Sequence, residues 1–162
     1  MDYVSSARAK KNMTLNTVRP FIAIVDDDAS VCRAMKRLLS SHGMDTAIFT
    51  SGRDFIDSLD AKPLRLPDCV ILDIRMRGLS GLQVQKLLAS KHIRTSIIFV
   101  TGESQCHIKQ ALAAGAVAVF EKPLDADVVL PTLRWILGTE TRRKSEASNR
   151  VCGHGDWKED LS

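Results

Sequence analysis

Residues 69–81, CVILDIRMRGLSG, contain an apolar run that ends on a single carboxylate. Residues 69–72 have the continuous apolar character of a strand that is buried on both faces of a parallel sheet. Asp73 follows this run directly, and Gly78 and Gly81 then lead into an amphipathic segment that Ser80 is suited to cap. The stretch therefore predicts a strand, a carboxylate at its carboxyl end, and a helix.

The same unit of an apolar run and an amphipathic run recurs along the chain. Candidate strands lie at 21–25, 46–49, 69–72, 96–100 and 116–120, and apolar residues at helical spacing follow each one. Asp28 and Ser51 are suited to begin the first two helices, and Pro131 predicts that the last helix starts near Val128 or is kinked. Five such units predict a doubly wound α/β fold, (βα)5, with a five-stranded parallel sheet.

Charge and composition divide the chain into three parts. The net charge is +4, and residues 1–20 carry four basic side chains and one acidic side chain, so most of the excess lies at the N-terminus. We expect a flexible basic tail over 1–19, a folded domain over 20–138, and a polar, flexible tail over 139–162. The folded part is nearly neutral, which argues against a nucleic-acid-binding surface.

The sequence predicts a cytoplasmic protein. No apolar run is long enough to span a bilayer, and the N-terminal residues lack the apolar core of a secretory signal. The four cysteines show no zinc-binding spacing, so we expect reduced thiols.

Charged and polar residues follow the predicted strands at the points where the strands end. Asp26 and Asp27 follow the first strand, Asp73 the third, Thr101 the fourth, and Lys122 the fifth. In a parallel sheet these ends share one edge, where ligands bind in open α/β folds. Clustered carboxylates suit a hard cation such as Mg²⁺, and an aspartate facing that ion is a plausible phosphoryl acceptor. A lysine and a threonine hydroxyl are suited to contact phosphoryl oxygens.

Four motifs in this order, IVDDD, LDIRMRGLSG, VTG and FEKP, resemble the receiver domain of bacterial two-component response regulators, in particular FixJ-like receivers. The resemblance covers about residues 20–138 and implies a flavodoxin-like topology. It implies that Asp73 is the phosphoacceptor and that Mg²⁺ is bound by Asp27 directly, by Asp26 through water, and by the backbone carbonyl of Arg75.

The resemblance also implies a conformational switch. Thr101 matches the switch hydroxyl, Phe120 matches the aromatic switch position, and Lys122 matches the family lysine, before a proline that usually follows a cis bond. A sensor histidine kinase or a phosphotransfer protein would donate the phosphoryl group, and a downstream output protein would read the switched surface. The resemblance allows a phosphorylation-dependent homodimer. It implies a signalling switch rather than an enzyme, with at most self-phosphorylation from small donors and self-dephosphorylation.

Two features depart from the family pattern. Arg77 lies where the family usually has proline, which frees the loop and adds a cation near the acceptor. The 24 residues after Gly138 are too few for the helix-turn-helix domain with which FixJ-like proteins usually continue. We therefore expect no sequence-specific DNA binding, and we expect no membrane partner. Either the output belongs to another chain, or the sequence is a piece of a longer protein with a role in transcription regulation.

Three other interpretations fit parts of the pattern. A receiver-like module could bind partners without phosphorylation, but the intact site residues argue against it. A Mg²⁺-dependent phosphatase would need a second acid two residues after its nucleophile, where Arg75 lies. A flavin-binding carrier would need Ser, Thr or Gly in place of the aspartates after the first strand.

Overall fold

The computed structural model describes residues 18–102 and 105–151, and the side chains of 18–102 and 107–138. The five strands are β1 (Phe21–Val25), β2 (Asp45–Phe49), β3 (Cys69–Asp73), β4 (Ser96–Thr101) and β5 (Ala118–Glu121). The five helices are α1 (Ala29–Ser41), α2 (Gly52–Asp60), α3 (Gly81–Ser90), α4 (Gln105–Ala113) and α5 (Ala126–Val151).

The strands form one parallel sheet in the order β2-β1-β3-β4-β5. Strand order therefore reverses direction after β2, which places β1 and β3 side by side at the switch point. This topology confirms the predicted flavodoxin-like fold.

Alternating residues of the central strands supply two separate cores. On one face, Ile24, Ile71 and Ile98 pack with buried residues of α1 and α5. On the other face, Val25 and Leu72 pack with buried residues of α2 and α3. Burial on both faces explains why β3 and β4 are apolar almost without interruption, as the sequence indicated.

The predicted helix caps are confirmed. Asp28 accepts hydrogen bonds from the backbone N–H groups of Ser30 and Val31 at the start of α1. Ser51 accepts one from the N–H of Asp54, and Ser80 forms a reciprocal capping box with Gln83. These caps satisfy N–H groups that would otherwise have no partner in the first turn of each helix.

Of the two predictions for the start of the last helix, the start near Val128 is wrong and the kink at Pro131 stays a prediction; the helix also extends past residue 138. It begins at Ala126, with Pro131 inside it, rather than near Val128, and Asp125 accepts a hydrogen bond from the N–H of Asp127 at its start. It continues to Val151, so residues 139–151 of the flexible tail predicted over 139–162 are helical. Seven of the 13 residues in 139–151 are Arg, Glu, Lys or Ala, whose helix propensity is high even without an apolar face. Residues 1–17 of the tail predicted over 1–19, and residues 152–162 of the tail predicted over 139–162, lie outside the described residues.

Candidate functional site

The register of the sheet brings Asp26 level with Asp73 and places Thr101 one residue beyond them. Val25 pairs with Leu72, so Asp26 and Asp73 are the next residues along two adjacent strands. Asp73 in turn pairs with Val100, which places Thr101 one residue further along β4. Thr101 is fully buried, and Asp26 and Asp73 are only 4% and 5% exposed.

Three carboxylates form a cluster at this edge. Asp26, Asp27 and Asp73 each offer an oxygen, and the three oxygens lie within 4.8 Å of one another. Asp27 is the more accessible member, with 29% of its side chain exposed. Carboxylates this close repel one another, and two of them are buried, so the cluster requires positive charge nearby.

Lys122 supplies that charge to the two buried aspartates. Its Nζ lies 2.8 Å from Oδ2 of Asp26 and 3.0 Å from Oδ2 of Asp73. The backbone holds the lysine in place, because its N–H donates to the carbonyl of Thr101 at 2.8 Å. The peptide bond between Lys122 and Pro123 is cis, as the resemblance implied. One ammonium group thus bridges residues from β1 and β3.

The pKa values reflect burial and pairing. Burial of Lys122 by itself would lower its pKa, but the hydrogen bonds to Asp26 and Asp73 raise it overall, so the lysine stays protonated. Burial raises the pKa of Asp73 above its ordinary value, against the opposing hydrogen bonds from Lys122 and the N–H of Arg75. The hydrogen bonds to Asp73 therefore do not fully offset the cost of burying its negative charge.

Backbone N–H groups orient both buried carboxylates. Oδ1 of Asp73 accepts from the N–H of Arg75 at 3.1 Å, and Oδ1 of Asp26 accepts from the N–H of Asp28 at 2.8 Å. Each aspartate thus has one oxygen bonded to the backbone and the other to Lys122. This arrangement leaves little rotational freedom to either carboxylate.

An open cavity of about 490 Å³ adjoins the cluster. It extends beside the loop that follows β3, and the polar residues that line it are Asp27, Arg75, Arg77, Ser80 and His107. A small anionic group or a partner's side chain can approach the carboxylates from this side.

Phe120 lies on β5 opposite Val100 and is half-buried. Its side chain packs against the core on the α1 and α5 side of the sheet. The structure thus places the predicted aromatic switch residue on the strand that leads directly to Lys122.

Two features of the site were not found from the sequence. A Cβ at Gly81 would overlap the carbonyl oxygen of Asp73, and the N–H of Gly81 donates to the carbonyl of Ile74 at 3.0 Å. The absence of a side chain lets α3 begin against the end of β3, next to Asp73. The second feature is a direct contact of Arg77 with Asp27, where the sequence indicated only a nearby cation.

The chemistry of the donor set fits a hard divalent cation. Three carboxylates supply oxygen ligands, and Lys122 bonds only two of them, so the cluster keeps negative charge that such an ion would neutralise. The carboxylate cluster predicted from the sequence is therefore present.

Residues 22–134, more than half of the chain, match the family described as the response regulator receiver domain. The chain belongs to this family. The chain is 31% identical over 151 residues to Nodulation protein W of Bradyrhizobium diazoefficiens, covering 91% of this chain and 63% of that protein. It is 30% identical over 139 residues to the transcriptional regulatory protein FixJ of Azorhizobium caulinodans, covering 82% of this chain and 64% of that protein. The chain thus spans less than two thirds of the length of these relatives.

Solved structures agree with this assignment. The receiver superposes on a response regulator receiver protein from Burkholderia phymatum with a TM-score of 0.67 and 44% identity, covering 74% of this chain and 96% of that one. It superposes on the response regulator StyR with a TM-score of 0.71 and 27% identity, covering 83% of this chain and 67% of that one. Within residues 18–102 and 105–151, none of the receiver's helices combines the length and apolar character needed to cross a membrane.

The family match favours a phosphorelay receiver over the alternatives considered from the sequence. A receiver is a signalling module rather than a dedicated catalyst.

Proposed function

We propose that Asp73 accepts a phosphoryl group from a phosphohistidine on a sensor kinase or a phosphotransfer protein. The observation that carries this proposal is the single ammonium group of Lys122, which bridges the buried carboxylates of Asp26 and Asp73. An aspartate held in this way is oriented, desolvated and paired with a cation that can also contact a phosphoryl oxygen.

The transfer exchanges one bond for another. A carboxylate oxygen of Asp73 forms a bond to phosphorus while the bond between phosphorus and the donor's imidazole nitrogen breaks. The imidazole then takes up a proton from solvent, and Asp73 carries the phosphoryl group as an acyl phosphate. Positioning and charge stabilisation account for most of the rate in such transfers.

Asp27, Asp73 and the backbone carbonyl of Arg75 would hold Mg²⁺, with Asp26 acting through water. The ion supplies positive charge to the phosphoryl oxygens when it is bound. Lys122 contributes the second positive charge, since its pKa is raised and it stays protonated.

Phosphorylation adds negative charge beside Thr101, which the register places one residue beyond the level of Asp73. We propose that the Thr101 hydroxyl moves to bond the new phosphoryl oxygens and that Phe120 turns further inward. Because β5 carries both Phe120 and the residue before Lys122, the change alters the surface formed by α4, β5 and α5. A downstream output protein, or a second copy of this chain, would bind that surface.

The proposal is tested by intact mass spectrometry after incubation with Mg²⁺ and acetyl phosphate. We expect one phosphoryl adduct that is lost at alkaline pH and is absent from the Asp73→Asn variant. Asp28→Asn is a matched control, because Asp28 is an exposed aspartate at the same edge that caps α1. An adduct that persists in Asp73→Asn would refute the assignment of the acceptor.

A panel of phosphorylated kinases extends the test. If neither acetyl phosphate nor any of these kinases modifies the wild type, phosphorylation-independent partner binding becomes the better interpretation.

A further inference from the structure

Asp27 is paired differently from the other two carboxylates of the cluster. Lys122 bonds Asp26 and Asp73, whereas Oδ2 of Asp27 accepts a hydrogen bond from the backbone N–H of Arg77 at 3.1 Å. The guanidinium Nε of the same arginine lies 3.8 Å from the same oxygen. Arg77 thus contacts this carboxylate with both its backbone and its side chain.

The two contacts differ in what they require. The hydrogen bond needs only an amide hydrogen, which every residue except proline provides, so the proline common at this position in the family would remove it. The ion pair needs the arginine side chain. That side chain is 93% exposed, so little besides this pair restrains it.

We propose that Arg77 is an exchangeable counter-ion of Asp27 that competes with the divalent cation for this carboxylate. The inference rests on the proposed function, because it assigns a role in metal affinity to a residue of that site. When the ion is absent, the guanidinium partly neutralises the carboxylate of Asp27, which Lys122 does not bond. When the ion binds Asp27, it competes with the guanidinium for the same carboxylate, and the guanidinium moves away into solvent.

The size of the effect follows from the exposure of the pair. An exposed ion pair of this length contributes modestly, so the arginine is expected to weaken Mg²⁺ binding by about two- to five-fold. Screening makes the effect depend on salt, since the Debye length falls from about 30 Å at 0.01 M to about 3 Å at 1 M ionic strength. A purely structural role in loop geometry would not show this salt dependence.

The test is isothermal titration of Mg²⁺, with no phosphodonor present, into the full chain and its variants. Arg77→Ala removes the charge and keeps the N–H, and we expect its dissociation constant for Mg²⁺ to be about two- to five-fold lower at low salt. Arg77→Lys keeps the charge and is expected to stay close to the wild type. At 1 M salt the difference between Arg77→Ala and the wild type should nearly disappear.

Arg53→Ala is the matched control. Arg53 forms an exposed pair of nearly the same length, 3.9 Å, but with Asp57 on α2. Arg53→Ala changes the net charge by the same amount as Arg77→Ala. An equal gain in Mg²⁺ affinity would therefore mean that overall charge, and not the contact with Asp27, is responsible. That result would overturn the inference.

The outcomes separate this inference from the proposed function. If the wild type binds Mg²⁺ and Arg77→Ala binds it equally or more weakly, the counter-ion role is refuted while the metal site stands. If the wild type binds no Mg²⁺, or if Asp27→Asn binds it as the wild type does, the proposed metal site itself is wrong and the inference falls with it.

Discussion

Replacing Lys122 with methionine should destabilise the Mg²⁺-free protein through charge rather than through packing. The side chain keeps its length and much of its volume, but Asp26 and Asp73 lose the ammonium group that lies 2.8 and 3.0 Å from their oxygens. Removing one partner of a buried ion pair typically costs about 3–5 kcal/mol. Lys122 is 27% exposed, which favours the lower end, about 3 kcal/mol.

Proton uptake by Asp73 sets a ceiling on the part of this loss that its own unpaired charge causes. If Asp73 became protonated in the folded variant at pH 7, the cost relative to an ordinary aspartate would be about 4 kcal/mol, at 1.36 kcal/mol for each pKa unit. The expected loss of about 3 kcal/mol lies below that ceiling and corresponds to a fall in Tm of about 10 °C. A folded carboxyl group with a raised pKa gains stability as pH falls, so the deficit should shrink by up to about 1.4 kcal/mol per pH unit between pH 7 and 5.

Urea denaturation in EDTA at pH 7, 6 and 5 measures this deficit. Lys36→Met is the matched control, because Lys36 is an exposed lysine on α1, and it should change stability by less than about 0.5 kcal/mol. Adding Asp26→Asn to Lys122→Met should restore part of the stability, because it removes one of the two unpaired buried charges. A deficit of the same size at pH 5 and pH 7 would refute the electrostatic argument and point to lost packing.

Further expectations concern Asp73, the proposed acceptor, and the glycine that packs against its backbone. Burial raises the pKa of Asp73 above 3.8 in the folded protein. Without Mg²⁺, the free energy of unfolding of the wild type should therefore increase relative to that of Asp73→Asn as pH falls through the raised pKa, and the difference should level off below pH 3.8. A difference in urea titrations that does not change with pH would contradict this. Gly81→Ala should destabilise the protein by about 1–3 kcal/mol, because the added Cβ overlaps the carbonyl of Asp73. The added Cβ of Gly138→Ala in α5 meets no atom, so this substitution should stabilise the protein by up to about 1 kcal/mol. Equal effects at the two glycines in thermal denaturation would rule out the steric explanation. Ser80→Ala should cost about 1 kcal/mol through loss of the capping box, and Ser80→Asp should retain most of that stability.

Local patterns were sufficient to predict most of the fold. The continuous apolar runs marked β3 and β4, and helix caps such as Asp28, Ser51 and Ser80 were identified from residue type and position. These features depend on residues within a few positions of one another, so they can be read from a single stretch of sequence. The extension of α5 was missed because a polar helix without an apolar stripe has no periodic signal, although its propensity is high.

The sequence by itself determined that carboxylates, a hydroxyl and a lysine follow four of the five strands, and therefore that they meet at one edge of a parallel sheet. Only the tertiary structure decided how they pair. Lys122 and Asp73 are 49 residues apart, and Asp27 and Arg77 are 50 apart, so their contacts depend on strand register and loop conformation rather than on local pattern. Register brings Asp26 level with Asp73 under one ammonium group, and the loop after β3 turns Arg77 toward the remaining carboxylate. The residue types set the chemistry that is available, and the packing of the strands and loops determines which charges neutralise one another.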